Sequence, residues 1–318
     1  MPLAVTLKSA CQNLDPEKQL RLHFLDGGVT DESWQKLKET LADDPIEFNL
    51  IKPDQQALAD LKISHHISHT AYFRLLSAEL LPGDISEAVY LDSDLFINDD
   101  IGKLWDMELA GQYCLASVDI ACPFIDAARG CRNFRRAAPY MAVYRPIGNY
   151  QQLGLDGSAE YFNSGVLKLN LDLWRRENIA ERLLQTLRDN EKYVWCWDQY
   201  ALNVVFHGNW GRIHPKWNQG AHVFEYPTEH HAPIDVEEWS EMKTRPSIVH
   251  FTTEFKPWDY NSDHPRGELF YEGLAETAWR GWRPEPVRIG WKRWFDLQMA
   301  GLIRRAAIST RKVAAIWS

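Results

Sequence analysis

Apolar positions along the chain switch between two periods. Leu3, Leu7, Ala10 or Cys11, and Leu14 recur at helical spacing, so the chain opens in a helix. Over 19–26 the period falls to two, with Leu20, Leu22 and Phe24 running into the turn Asp26-Gly27-Gly28, which predicts a strand. A helix capped near Thr30 or Asp31 then carries Trp34, Leu37 and Leu41 inward, and 47–51 forms a further short strand. Tyr72, Leu75, Leu76 and Leu80 predict a helix over 70–81, stopped by Pro82-Gly83. The run Ala88-Val89-Tyr90-Leu91 reads as a buried strand ending in Asp92-Ser93-Asp94, and 114–118 as another ending at Asp119. Downstream the pattern predicts a strand over 165–169, a helix from Asp172 to about Asn190, a helix beginning near Asp198 and an isolated strand over 247–251.

Strands that alternate with helices predict an α/β domain with a mostly parallel central sheet, whose ligands sit at the carboxyl ends of the strands. Residues 120–160 break the pattern. They hold little apolar periodicity but carry Arg129, Arg132, Arg135, Arg136 and Arg145, so they read as a long basic insertion of the kind that forms lids and binding loops.

A length of 318 residues suits one large domain with a modest appendage, here 1–260 and 261–318. No segment approaches the roughly 18 to 20 apolar residues of a membrane-spanning helix, and the first residues lack a secretory pattern, so a cytoplasmic protein is expected. Five cysteines without CxxC spacing read as reduced thiols. The net charge of −9 hides an asymmetry. From Arg288 onward seven basic residues face one acid, Asp296, which gives this tail +6 and leaves −15 on residues 1–287. An acidic body does not suit a general nucleic-acid binder. Trp291, Phe295, Met299, Leu302, Ala306, Val313 and Trp317 fall near one helical stripe of that tail, which predicts a basic amphipathic helix lying on an anionic membrane surface, at the inner face of the cytoplasmic membrane.

In an extended segment residues i and i+2 project to one side, so Asp92 and Asp94 aim both carboxylates at one point while Ser93 faces away. Such a pair suits a hard divalent cation that shares its coordination sphere with phosphate oxygens. Asp is also common in plain turns after strands. An aspartyl-phosphatase site would open the same way, but there the motif lies on the first strand with a hydroxyl residue soon after, and Leu95-Phe96-Ile97-Asn98 follows here. His250 stands at a strand end as a possible third ligand, with Lys256-Pro257-Trp258 six residues on to neutralise a phosphate. His65, His66 and His69 have helical metal-binding spacing but no evident fourth ligand for zinc.

Taken in order, Ala88 to Asp94, then Tyr161-Phe162-Asn163-Ser164-Gly165-Val166-Leu167, then Trp197-Asp198-Gln199, then His250 with Lys256-Pro257-Trp258, the chain resembles glycosyltransferase family 8 over roughly residues 3–260. Within the family it looks most like the bacterial lipopolysaccharide and lipooligosaccharide galactosyl- and glucosyltransferases. The resemblance implies a GT-A fold and retaining transfer of a hexose from a UDP-sugar to a cell-envelope glycan or glycolipid, with Mn²⁺, or Mg²⁺, as cofactor. It implies Asp92, Asp94 and His250 as metal ligands, Lys256 at the diphosphate and Arg74 near the diphosphate and donor sugar. Asp119, Asn163 and Asp198 match residues that hold sugar hydroxyls, Gln199 the side chain beside the reacting carbon, and His66 a histidine at the sugar end of the cleft. Without the resemblance the plain structural readings are favoured: Arg74 as an ion pair on a helix, Asn163 as a partner for strand-end backbone, and Asp198 as a helix N-cap with Gln199 in the first turn.

Two features depart from the family. Thr253 stands where glycine is usual, which restricts backbone approach to the phosphate. The chain also starts after the strand and Asp/Asn-bearing loop that grip the uridine in relatives, so a longer natural chain is expected. A non-catalytic sugar- or nucleotide-binding remnant is the competing class.

Overall fold

The computed structural model describes residues 1–54, 58, 69–253 and 256–286. The expectations for His65, His66 and the basic helix from Arg288 lie outside these residues. The described chain runs α1 (Pro2–Gln12), β1 (Leu20–Leu25), α2 (Asp31–Thr40), β2 (Ile46–Ile51), a 3₁₀ segment (His69–Leu76) that passes into α3 (Ser77–Leu80), β3 (Glu87–Leu91), β4 (Leu95–Ile97), α4 (Gly102–Trp105) and β5 (Cys114–Val118). The insertion holds two single-turn helices, α5 (Ala127–Gly130) and α6 (Phe134–Ala137). Then follow β6 (Phe162–Asn170), α7 (Leu171–Arg176), α8 (Ile179–Asp189), α9 (Trp197–Val205), β7 (Trp210–Arg212), β8 (Gln219–Gly220), α10 (Val236–Thr244), β9 (Ile248–His250) and α11 (Gly267–Ala275).

The strands form three small sheets, and the expectation of a mostly parallel central sheet is corrected. β1 and β2 pair in parallel by themselves. The four-stranded sheet has the order β3-β6-β5-β7, and its second strand, β6, runs antiparallel to both β3 and β5. The third sheet, β4-β9-β8, is also mixed, so the strand expected to be isolated at 247–251 has a neighbour on each side. The physical reason lies in the insertion. A parallel neighbour needs a crossover that carries the chain back to the starting end of the sheet. Residues 119–161 instead leave and re-enter at one end, since Asp119 N–H bonds Tyr161 C=O at 2.9 Å. This reversal sets the end of β5 beside the start of β6.

Two predicted helices change form. The segment expected as helix over 70–81 is mostly 3₁₀, and it is interior: Tyr72, Phe73, Arg74 and Leu75 are all buried. The helix expected from Asp172 to Asn190 divides at Asn178, whose φ of 50° is a left-handed conformation that Asn tolerates better than most residues. The insertion is irregular yet packed, with a small apolar centre of Ala127, Cys131, Ala137 and Met141. The largest core joins β3, β5 and β6 to α7, α8 and α9 through Trp174, Tyr161, Tyr200 and Phe206. α11 shares a further apolar cluster with Val5 of α1, Val249 and Phe251. Among the described residues no helix is long and apolar enough to cross a membrane.

β4 is an edge strand that follows directly on Asp92-Ser93-Asp94, and side chains of α1 close its open edge. Thr6 Oγ1 accepts the Leu95 N–H at 3.0 Å and shares its own proton between the carbonyls of Leu95 and Ser93, at 2.9 and 3.1 Å. One turn later Ser9 Oγ accepts the Ile97 N–H at 3.0 Å, and Asn13 Nδ2 donates to the Ile97 carbonyl at 3.0 Å. The helix thus supplies the bonds that a neighbouring strand would have made. Thr6→Val keeps the shape and removes the hydroxyl, leaving buried backbone groups unpaired at about 1–3 kcal/mol each. Chemical denaturation should show a loss of about 2 kcal/mol; an unchanged midpoint would mean that α1 does not secure this edge.

Candidate active site

The alternation read from the sequence is present at the end of β3: Ser93 is exposed, while Asp92 and Asp94 are half-buried and turn toward His250. His250 closes β9, which pairs with β4 in the register Leu95↔His250. Its Nε2 lies 3.3 Å from Asp94 Oδ1 and 3.7 Å from Asp92 Oδ2, and ligand atoms of the three residues all lie within 4.8 Å of one another. Burial raises the Asp94 carboxyl, but His250 and then Lys256 outweigh it and hold the group well below the usual carboxylate range. Two carboxylates and one imidazole whose lone pairs converge in a partly dry site fit a divalent cation of the Mn²⁺ or Mg²⁺ kind.

Lys256 stands over this group. Its Nζ donates to Asp94 Oδ2 at 2.6 Å and to the Phe251 carbonyl at 2.7 Å, leaving one N–H of the ammonium for another acceptor. The chain between His250 and Lys256 passes through Thr253 at φ 89°, a conformation that favours glycine. Thr252 holds it in place: its Oγ1 accepts the Ala221 N–H at 2.8 Å, and its carbonyl lies 3.2 Å from His264 Nε2. Burial lowers the His264 pKa to about 4, so the ring is neutral at physiological pH; its Nδ1 accepts the Arg266 N–H and its Nε2–H points at Thr252.

On the other side of Asp92 lies buried Arg74. Its guanidinium meets Asp92 Oδ1 at 2.8 Å and Asp198 Oδ2 at 3.0 Å, donates to the Ser164 carbonyl at 2.7 Å and stacks 4.5 Å from the ring centre of Tyr90. Burial would lower the Arg74 pKa, but Asp198 and Asp92 more than offset it and raise the pKa above its usual range. Asp198 is raised by burial, an effect Arg74 only partly reverses. Asp198 and Gln199 open α9, and the residue before them, Trp197, has a φ of 38°. Strain of this kind collects at functional sites.

Gln199 joins this cluster to a third group. Its Oε1 accepts the Ser164 N–H at 3.1 Å and its Nε2 donates to Asp119 Oδ2 at 2.9 Å. Asn163 Nδ2 donates to the same oxygen at 3.1 Å. Arg74, Asp92, Asp94, Asp119, Asn163, Asp198, Gln199, His250 and Lys256, all singled out in the sequence, are therefore connected by polar contacts at one end of two sheets. His66 lies outside the described residues.

Three participants escape the sequence reading. Tyr90 donates its hydroxyl to Asp92 Oδ1 at 2.8 Å, and the same two-residue alternation that pairs Asp92 with Asp94 points to it. Ser164 donates to Asp198 Oδ2 at 3.2 Å and lay inside a quoted motif. Asn218 bonds both His250 and Asn163, and no local pattern marks it.

The profile of Glycosyl transferase family 8 matches residues 1–262. General stress protein A of Bacillus subtilis is 26% identical over 274 residues, covering 85% of this chain and 87% of that protein. A lipopolysaccharide 1,3-galactosyltransferase of Salmonella typhimurium is 22% identical over 268 residues, covering 83% of this chain and 72% of that protein. The chain spans between 28% and 57% of the length of the Streptococcus pneumoniae glycosyltransferases it also matches. Among solved structures, galactosyltransferase LgtC in complex with donor and acceptor sugar analogues superposes with a TM-score of 0.70 at 24% identity, over 89% of this chain and 93% of that one. That likeness shows an α/β glycosyltransferase fold of GT-A type.

Two substitutions test the geometry. A methyl group on Gly165 would lie 2.8 Å from Asp92 Oδ2 and within the contact radius of the His250 ring. Gly165→Ala should therefore spread the three ligands and weaken Mn²⁺ binding at least tenfold by calorimetry, an effect of the size seen when ligand support is lost; parental affinity would show that the three-residue group is not the cation site. Thr253→Gly should relieve the left-handed backbone and raise stability by about 1 kcal/mol, the balance of relieved strain and greater freedom in the unfolded chain. A drop in stability would show that the threonine conformation carries no strain.

Proposed function

The chain belongs to glycosyltransferase family 8, and we propose that it transfers galactose or glucose from a UDP-sugar, with retention at the anomeric carbon, to a bacterial cell-envelope glycan such as lipopolysaccharide. The observation that carries this reading is the joining of the Asp92, Asp94 and His250 group to the Arg74–Asp198 and Asp119–Asn163–Gln199 groups in one polar network. The first offers a cation and diphosphate site, and the other two a wall of fixed donors and acceptors for sugar hydroxyls.

Asp92, Asp94 and His250 hold Mn²⁺, or Mg²⁺, which when bound supplies positive charge to the departing diphosphate. Lys256 gives its free N–H to a diphosphate oxygen. Asp198 and Asp119 accept hydroxyls of the donor sugar and orient it, and Gln199 supports the positive charge that grows on the anomeric carbon. The bond between that carbon and the β-phosphate oxygen breaks, with its electron pair leaving on UDP. The acceptor hydroxyl forms the new bond on the same face and passes its proton to the β-phosphate. Retention without a glycosyl-enzyme is supported by the state of the carboxylates: Asp198 is engaged by Arg74 and Ser164, and Asp119 by Ala121 N–H, Asn163 and Gln199. Neither is a free nucleophile.

The insertion 120–160 is the acceptor lid, since its two ends lie at Asp119 and Tyr161, beside the sugar-holding residues. Arg132, Arg135 and Arg136 on it are exposed and suit a glycan that carries phosphate or carboxylate.

The direct experiment measures UDP release from UDP-galactose and UDP-glucose in Mn²⁺, with and without acceptor. Asp94→Asn should keep the fold by circular dichroism and lower turnover by about 10²–10³, the usual cost of losing one group that stabilises developing charge. A folded Asp94→Asn variant that turns over at the parental rate would sink the metal assignment. Absence of release from either donor by the parent protein would favour a binding remnant.

A further inference from the structure

We propose that Asn218, a residue outside the expected site, sets the tautomer of His250 and locks the cation side of the cleft to the sugar side. A chain of hydrogen bonds starts from a backbone N–H, which can only donate. The backbone N–H of Gly165 donates to one terminal atom of the Asn163 amide at 2.9 Å, so that atom is the oxygen. The other terminal atom of Asn163 is then the nitrogen, which agrees with its 3.1 Å contact to a carboxylate oxygen of Asp119. Asn218 presents one amide atom to the Asn163 oxygen at 2.9 Å, and only a nitrogen can donate there. The remaining atom of Asn218, its oxygen, faces His250 Nδ1 at 2.9 Å. An amide oxygen only accepts, so Nδ1 carries the hydrogen; the protonated ring also donates from Nε2 toward Asp94 and Asp92, and the neutral ring leaves the Nε2 lone pair free to share a cation with them.

Each link is buried or half-buried, and Asn218 itself is only 3% exposed. The orientation of the metal-binding nitrogen is thus dictated, through two side-chain amides, by a strand backbone N–H and a carboxylate at the opposite side of the site. Reversal of any one amide would place two donors or two acceptors against each other in a dry setting, at about 1–3 kcal/mol per broken pair. Partners of this kind fix a ligating imidazole and raise metal affinity. Here the same partner also bonds Asn163, whose amide nitrogen donates to Asp119 on the sugar side. Asn218 is therefore a positioning residue for both halves of the reaction.

This inference rests on the reading of Asp92, Asp94 and His250 as a cation site, and its first test is independent of that reading. Nitrogen-15 NMR of the metal-free parent protein, with the ring neutral, should find His250 protonated at Nδ1; protonation at Nε2 would overturn the proposal by itself. Asn218→Ala should erase the tautomer preference and weaken Mn²⁺ binding, read by calorimetry, by about 10–100-fold. Asn218→Asp keeps an acceptor for Nδ1–H but opposes the Asn163 oxygen. It should retain the Nδ1–H tautomer and bind Mn²⁺ within tenfold of the parent while raising KM for the sugar donor. An Asn218→Ala protein with parental tautomer and Mn²⁺ affinity would refute the role. If the parent binds no Mn²⁺, the cation reading fails, while the tautomer measurement still decides the part played by Asn218.

Discussion

Two carboxylates, Asp92 and Asp198, converge on the buried guanidinium of Arg74, and the architecture of the cleft depends on that meeting. Arg74 comes from the 3₁₀ segment, Asp92 from the end of β3, Asp198 from the first turn of α9, and the carbonyl it also binds from β6. A guanidinium removed from water is costly unless its donors are matched, and removing one partner of a buried pair typically costs 3–5 kcal/mol. The four elements are therefore held together by the need to satisfy one side chain. Opposing pulls act on Asp198: burial raises its pKa by favouring the neutral acid, and Arg74, with the Ser164 hydroxyl, works against that rise. Planar Arg, with donors along two edges and a face that stacks on Tyr90, can make these contacts at once, which a lysine cannot.

The antiparallel course of β6 has the same kind of consequence. Because the insertion returns the chain to the end it left, Asp119 at the close of β5 stands beside Asn163 at the opening of β6. β3 pairs with the other side of β6, so Asp92 N–H bonds the Gly165 carbonyl at 2.8 Å. A parallel β6 would have placed its first residues at the far end of the sheet. The absence of a side chain at Gly165 completes the arrangement, since His250 and Asp92 occupy the space a methyl would need.

Much of this was legible in the sequence, and the boundary between what was and what was not is physical. Strand ends marked by a change from apolar to acidic residues, as at Asp92, Asp94 and Asp119, were readable because period and polarity are local. Strand direction was not, because it depends on where the insertion 120–160 re-enters, and that insertion has little periodic pattern. The 3₁₀ winding of His69–Leu76 was hidden for a similar reason: its apolar spacing resembles an α-helix, and its burial against α8 and α9 comes from distant parts of the chain. Tyr90 and Ser164 were within reach of the alternation rule. Asn218 was out of reach, since its partners lie 32 and 55 positions away in the sequence.

The strained backbone follows from these contacts. Trp197 immediately precedes Asp198, and Thr253 lies midway between His250 and Lys256. In both places a side chain must be delivered to a fixed point from an element whose own direction is already set by packing. A regular turn would miss, and a left-handed residue corrects the path at a cost of about 1–3 kcal/mol. The neighbours over-determine each correction: Trp197 packs against the main core, while Thr252 is held by Ala221 and His264. Conformational freedom is thus removed at Trp197, next to Asp198, and at Thr252 and Thr253, ahead of Lys256, before any ligand arrives. Charge developing on a leaving diphosphate is stabilised most by groups that need no rearrangement when it appears. The strain is consistent with a site whose geometry is set in advance.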